Sequence, residues 1–127
     1  MNQLITTTRL QQLADNNDYI EVVWLYGSRV KGMALSSSDY DLAVALRNTR
    51  NKQQDYYLDE LAYQWSLDTK QEIAIVDINC IPTPLAYNAI NEGVVMVCKN
   101  PLRLHAEQAR VWSLWEAYRY EYSKNRA

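Results

Sequence analysis

The sequence predicts an α/β (α+β) fold: a sheet of about four strands flanked by helices, with a long helix at the C-terminal end. Short runs rich in β-branched and aromatic residues alternate with stretches of helical spacing, and Gly or Pro punctuates the changes between them. At 127 residues the chain fits one domain, 1–127, large enough to bury a real core. That core is expected at about 19–98, with the C-terminal helix at about 102–122.

TTRLQQLAD reads as a first helix, with Thr6 or Thr7 as N-cap and Leu10 and Leu13 on one face. YIEVVWLY (19–26) is a buried strand ended by Gly27, and DYDLAVAL (39–46) is the second strand. From Gln53 to Thr69, Leu58, Leu61, Ala62 and Trp65 recur at helical spacing, with Asp55, Asp59 and Glu60 on the solvated side. EIAIVDIN (72–79) is apolar on both faces, as expected of an interior strand in a sheet covered by helices. Thr83 as N-cap and Pro84 in the first turn start a helix to about Asn91, Gly93 ends it, and VVMVC (94–98) is the fourth strand. Asn100 and Pro101 open the last helix, whose stripe of Leu104, Val111, Trp115, Tyr118 and Tyr122 carries Leu114 and Trp112 beside it. The polar stretch RNTRNKQQD (47–55) is a basic loop between strand and helix.

Composition narrows the function classes. A formal charge of −2 and a pI of about 5.3 do not suit a dedicated DNA or RNA binder, so an anionic ligand must be small or met locally. The N-terminal residues lack a basic segment followed by an apolar one, and no apolar run is long enough to span a bilayer, so a cytoplasmic protein is expected. Cys80 and Cys98 sit in apolar surroundings without metal-like spacing and are expected as buried, reduced thiols. Ten Tyr and four Trp, with no Phe, give most aromatic mass a polar handle suited to a protein interface.

The chemistry concentrates in GSRVKGMALSSSDYD, residues 27–41. A strand that ends in Gly-Ser and runs into a helical turn presents backbone N–H groups that bind phosphate oxygens, with Ser28, Arg29 and Lys31 beside them. By itself that is an ordinary strand-to-helix turn. Asp39 and Asp41, however, project from one face of the next strand with Cα atoms roughly 7 Å apart, near enough to converge on a metal. Two carboxylates opening an apolar strand repel one another and resist burial, and a divalent cation explains them; Mg²⁺ suits oxygen ligation shared with substrate phosphates.

Gly27, Ser28, ten further residues and Asp39-Tyr40-Asp41 resemble the signature of the minimal nucleotidyltransferases, the smallest members of the DNA polymerase β superfamily. The resemblance runs from about Tyr19 to Cys98, with GSRVKG and SDYDLAV as its specific core and IVDIN as a weaker later match. It implies a nucleotidyltransferase-type mixed sheet. It also implies that Gly27, Ser28, Arg29 and Lys31 hold the phosphates of ATP, that Asp39 and Asp41 are catalytic and hold Mg²⁺, and that a nucleotidyl group passes to an acceptor hydroxyl. Members of the family carry a third carboxylate in a pattern like V-D-L-V-D-L, where this chain reads I-A-I-V-D-I, with Ala74 first and Asp77 second. Asp77 is the remaining candidate metal ligand, although alternation sets it on the face opposite Ala74; Glu72 has the parity of Ala74 but lies one pleat away. His105, in the first turns of the last helix, is expected to be structural or solvated.

The same resemblance implies a partner, a helical HEPN RNase toxin that the nucleotidyltransferase neutralises by transferring AMP to a tyrosine. Trp112, Tyr118, Tyr120 and Tyr122 on the last helix are the expected interface with it. An antitoxin that acts by binding alone is the alternative, and a small-molecule (aminoglycoside-type) nucleotidyltransferase is a third reading, disfavoured because the chain has no second substrate domain.

Overall fold

The structure is a computed structural model that describes residues 2–32, 34, 35, 38–47 and 54–125. The basic loop expected at 47–55 lies mostly outside the described residues. The elements follow in the order α1 (Gln3–Asp15), β1 (Ile20–Tyr26), α2 (Ser28–Lys31), β2 (Tyr40–Leu46), α3 (Gln54–Thr69), β3 (Ile73–Asp77), α4 (Thr83–Asn91), β4 (Val94–Cys98) and α5 (Pro101–Asn125). The four strands form one mixed sheet in the order β3-β2-β1-β4. β1 runs antiparallel to both β2 and β4, whereas β2 and β3 are parallel, with α3 as the crossover.

Alternation along the strands divides the core in two. Val23, Leu25, Leu42, Val44, Ile73 and Ile75 pack one sheet face against Leu10 and Ala14 of α1 and Leu58, Leu61 and Trp65 of α3. Val22, Trp24, Ala43 and Ala45 pack the other against Ala86 and Ala89 of α4 and Val111 of α5. Small side chains on β2 at this second face let α4 and α5 sit close. Gly93 makes the turn from α4 into β4 tight: a Cβ there would collide with the Ala89 carbonyl oxygen and stand 2.9 Å from that of Leu25.

Several expectations are corrected. β3 is an edge strand and not an interior one. α1 is capped by Asn2, whose side-chain oxygen accepts from the Ile5 N–H at 2.9 Å, while the Thr6 and Thr7 hydroxyls donate back to carbonyls four residues earlier. α4 is capped by Pro82, with Thr83 and Pro84 already helical. Cys80 and Cys98 form no disulfide, as expected, but both are exposed.

The base of α5 is tied to the sheet by charged groups. Glu107, 5% exposed, accepts from Asn79 Nδ2 (2.9 Å), Arg103 Nε (3.0 Å) and Arg110 Nε (2.9 Å). Arg103 also donates to the Leu46 carbonyl at 2.7 Å, and Arg110 to that of Ile78 at 3.0 Å. Burial pushes the Glu107 carboxyl pKa upward, but the hydrogen bonds from Asn79, Arg110 and Arg103 outweigh it and hold the value below the usual glutamate range. A depressed folded pKa gives stability that is fully present above the unfolded value of about 4.3 and lost as pH falls through the folded one. Resistance to urea unfolding is therefore expected to fall on acidification below about pH 4. Glu107→Gln should flatten that dependence and cost about 1–2 kcal/mol at neutral pH, because the amide removes the charge that the partly exposed Arg103 and Arg110 face but keeps one acceptor oxygen. An unchanged acid limb in the variant would remove Glu107 as the cause.

Candidate functional site

The site lies where β1 ends and β2 begins. Tyr26, the last residue of β1, pairs with Asp41, and Asp41 pairs on its other side with Ala74 of β3. Gly27 follows with φ +80° and ψ −154°, a conformation essentially reserved for glycine, and turns the chain into the single turn α2. The Gly27 carbonyl accepts from Val30 and Lys31 N–H groups at 3.1 and 3.3 Å, closing that turn. An ideal Cβ on Gly27 would stand 2.5 Å from Asp41 Oδ2. The Gly-Ser turn and the acidic strand, ten residues apart in sequence, thus meet in contact.

Arg29 works on the strand. Its Nη2 and Nε donate to the Ser38 carbonyl at 2.8 and 3.3 Å, and its guanidinium carbon lies 4.2 Å from the centroid of the Tyr40 ring. The side chain therefore grips the residues on both sides of Asp39, and α1 grips it in turn through Gln3 Nε2 on the Arg29 carbonyl at 3.0 Å. Through these partners Arg29 braces the start of β2. Lys31 pairs with Glu92 at the end of α4 at 2.8 Å, both about half exposed, a surface pair of little energetic weight.

Asp39 is exposed and Asp41 half-buried. Burial, and then the neighbouring charge of Asp39, raise the Asp41 pKa above the usual aspartate range. Tyr26 is raised as well, by burial first and then by Asp41. Two acceptor-only carboxylates near one another, beside a turn kept free of a Cβ, fit a hard divalent cation that takes one or two protein oxygens and completes its shell from phosphate and water. Among the described residues no group of three or more His, Cys, Asp or Glu side chains is placed to hold a metal. Asp77 in particular does not join the pair. It pairs with Val44 on β2 and lies on the face of Ile73 and Ile75, 3% exposed, with Oδ1 accepting from the Asn79 N–H at 2.8 Å. Its assignment as a ligand is corrected for this reason: three residues separate it from Ala74, an odd number that reverses the face.

At the far end, α5 carries an aromatic ladder. Tyr87 of α4 stacks on Trp115 (centroids 4.3 Å), Trp115 on Tyr118 (5.5 Å) and Tyr118 on Tyr122 (6.3 Å), while Trp112 meets Tyr87 edge-on at 5.3 Å. Trp112, Leu114, Tyr118, Tyr120 and Tyr122 are all exposed. Sequence spacing revealed the stripe; the contact with Tyr87 was not legible, because it joins two helices. The Arg103–Glu107–Arg110 set was also missed, although its i, i+4 and i+3 spacing is a signal of paired charges on one helix face.

Residues 8–102 match the family described as polymerase beta, nucleotidyltransferase. No curated protein sequence matches the chain. Among solved structures, a chain from a toxin-antitoxin crystal structure with AMP-PNP is similar at a TM-score of 0.78 and 19% identity, over 94% of this chain and 93% of that one. A chain of the MntA-HepT toxin-antitoxin structure is similar at 0.75 and 18%, over 96% and 94%. A third, from the Shewanella oneidensis complex of a tri-AMPylated HEPN toxin with its MNT antitoxin, is similar at 0.75 and 18%, over 97% and 94%. No described helix is long and apolar enough to cross a membrane.

Proposed function

Because the chain belongs to the polymerase beta nucleotidyltransferase family, we propose that it is a cytoplasmic antitoxin that transfers AMP from ATP to a tyrosine of a partner HEPN RNase toxin. The observation that carries this is the contact between the Gly27-Ser28 turn and Asp41, on a fold like that of chains from toxin-antitoxin complexes. The turn orients the triphosphate, with Ser28 and the first N–H groups of α2 toward phosphate oxygens. Asp39 and Asp41 hold Mg²⁺, which when bound supplies positive charge against the phosphates. The tyrosyl oxygen bonds to the α-phosphorus, the bond from that phosphorus to the bridging oxygen breaks, and pyrophosphate leaves with the electron pair. The phenolic proton passes to water, since Ala74 offers no base. Arg29 keeps Ser38 and Tyr40, and hence Asp39 between them, in place.

Incubating the purified chain and its co-expressed partner with α-labelled ATP tests the proposal. Label is expected on a partner tyrosine, and pyrophosphate in equal amount; a partner that is neutralised without label would refute AMP transfer. Such a result would favour the second reading, an antitoxin that neutralises by binding, which Ala74 at the register position opposite Asp41 supports. Ala74→Asp is expected to raise the transfer rate toward the roughly 10²–10⁴-fold worth of a positioned base. A folded variant with an unchanged rate would show that a base at this position does not limit the reaction.

The partner surface of the proposal is the distal part of α5. Replacing Tyr118, Tyr120 and Tyr122 together by alanine should lower partner affinity more than tenfold, as expected on losing aromatic anchors worth about 2 kcal/mol or more. Stabilisation by Mg-ATP should persist. Undiminished affinity by calorimetric titration would dismiss this surface.

A further inference from the structure

Among the described residues β3 has a neighbouring strand on one side only. The Tyr40 N–H donates to the Glu72 carbonyl (2.8 Å) and the Ile78 N–H to that of Val44 (2.9 Å), so the peptide groups of the even-numbered residues of β3 face β2. Those of Ile73, Ile75 and Asp77 face outward. Ser66 Oγ takes the Ile73 N–H at 3.0 Å, and the Asp77 carbonyl accepts from the Cys80 and Ile81 N–H groups. Ile75 is left with both its N–H and its C=O directed at the open edge.

This edge is one strand away from the catalytic carboxylates. Ala74, the β3 residue in register with Asp41, carries only a methyl group. A strand added beside β3 would sit about 4.8 Å beyond it, hence about 9.6 Å from β2. A tyrosine on that strand opposite Ala74 would lie on the same sheet face as Asp41 and could lean across the alanine toward it. Its flanking residues would point to the other face, where a groove of 680 Å³ lies between α3 and the start of β3, lined by Tyr63, Ser66, Leu67 and Ile73 among others. Asp59 and Glu72 outnumber Lys70 on the groove, while at the site Asp39 and Asp41 stand against Arg29 and Lys31, so the surroundings carry a small net negative charge that lies toward the groove.

We infer that the open edge of β3 is the acceptor site, where an extended, basic segment of the partner protein adds as a fifth strand and carries the acceptor tyrosine over Ala74. Pairing through main-chain groups supplies the register, and the alternating side chains supply the choice of segment. Ala74 on this account is the gap through which the tyrosine reaches the nucleotide. The inference rests on the AMP-transfer proposal, and its test separates the two. Amide hydrogen exchange of the chain, alone and in complex with its HEPN partner, is expected to slow at Ile75 at least tenfold in the complex. Ala74→Trp, whose indole fills the gap that an aspartate at this position would only narrow, is expected to slow AMP transfer to the partner at least tenfold while leaving the melting-temperature rise with Mg-ATP unchanged. Transfer that proceeds with Ile75 exchange unaltered, or at full rate in Ala74→Trp, would overturn the edge site and leave the proposed activity standing. A complex in which no AMP is transferred even with Ile75 protected would instead refute the activity.

Discussion

Exchanging Asp39 and Asp41 together for asparagine is expected to abolish AMP transfer and, with it, the rise in melting temperature that Mg²⁺ and ATP give the wild type. The amide keeps the size of the carboxylate and removes its charge, so the test isolates cation binding from packing. A ligand that binds only the folded state stabilises it by about 2.7 kcal/mol at a hundred times its dissociation constant, a shift of several degrees for a domain of this size. The unliganded protein should lose no stability and gain slightly. Asp41 is half-buried, and burial together with the charge of Asp39 already disfavours its ionised form; neutral amides relieve both. Thermal unfolding with and without Mg-ATP measures the two effects on one sample. A double variant that responds to Mg-ATP as the wild type does would remove both aspartates from the metal site.

Much of this site was legible in sequence because its parts are local. The start of α2 after Gly27 and the place of Asp41 on the face of Ala43 and Ala45 follow from turn chemistry and the two-residue period of a strand. Helix α4 and strand β4 were legible for a similar reason, since Pro84 and Gly93 punctuate them. The misreadings fall where the deciding contact is tertiary. IAIVD is apolar at four of its five positions, but that pattern is silent about neighbours in the plane of the sheet, and β3 is an edge. Thr6 and Thr7 look like caps, yet a hydroxyl is also satisfied inside a helix by the carbonyl one turn back, and Asn2 lay upstream. The contacts of Arg29 with Ser38 and Tyr40 were not legible either, because they join α2 to residues nine and eleven positions away. Cys98 lies in an apolar run, but on the outer strand β4, where the run does not guarantee burial.

Gly27→Ala should damage the site while removing no functional group. At φ +80° and ψ −154° an alanine is strained by on the order of 1–3 kcal/mol. That alone is survivable for a domain with the usual 5–15 kcal/mol of stability. The added methyl carbon would also stand 2.5 Å from Asp41 Oδ2, inside any acceptable contact, so the carboxylate or the turn must move by roughly 1 Å. A displacement of that size at a reacting centre costs on the order of 10² in rate, and the Mg-ATP stabilisation should shrink with it. The two causes separate in a double-mutant cycle. In an Asp41→Ala background the clashing carboxylate is gone, so adding Gly27→Ala should cost less stability than it does in the wild type, the remainder being backbone strain. Urea unfolding of the four proteins gives the coupling directly. Equal costs in the two backgrounds would mean that the glycine serves the bend of the backbone alone, and that its approach to Asp41 is no part of how the site is built.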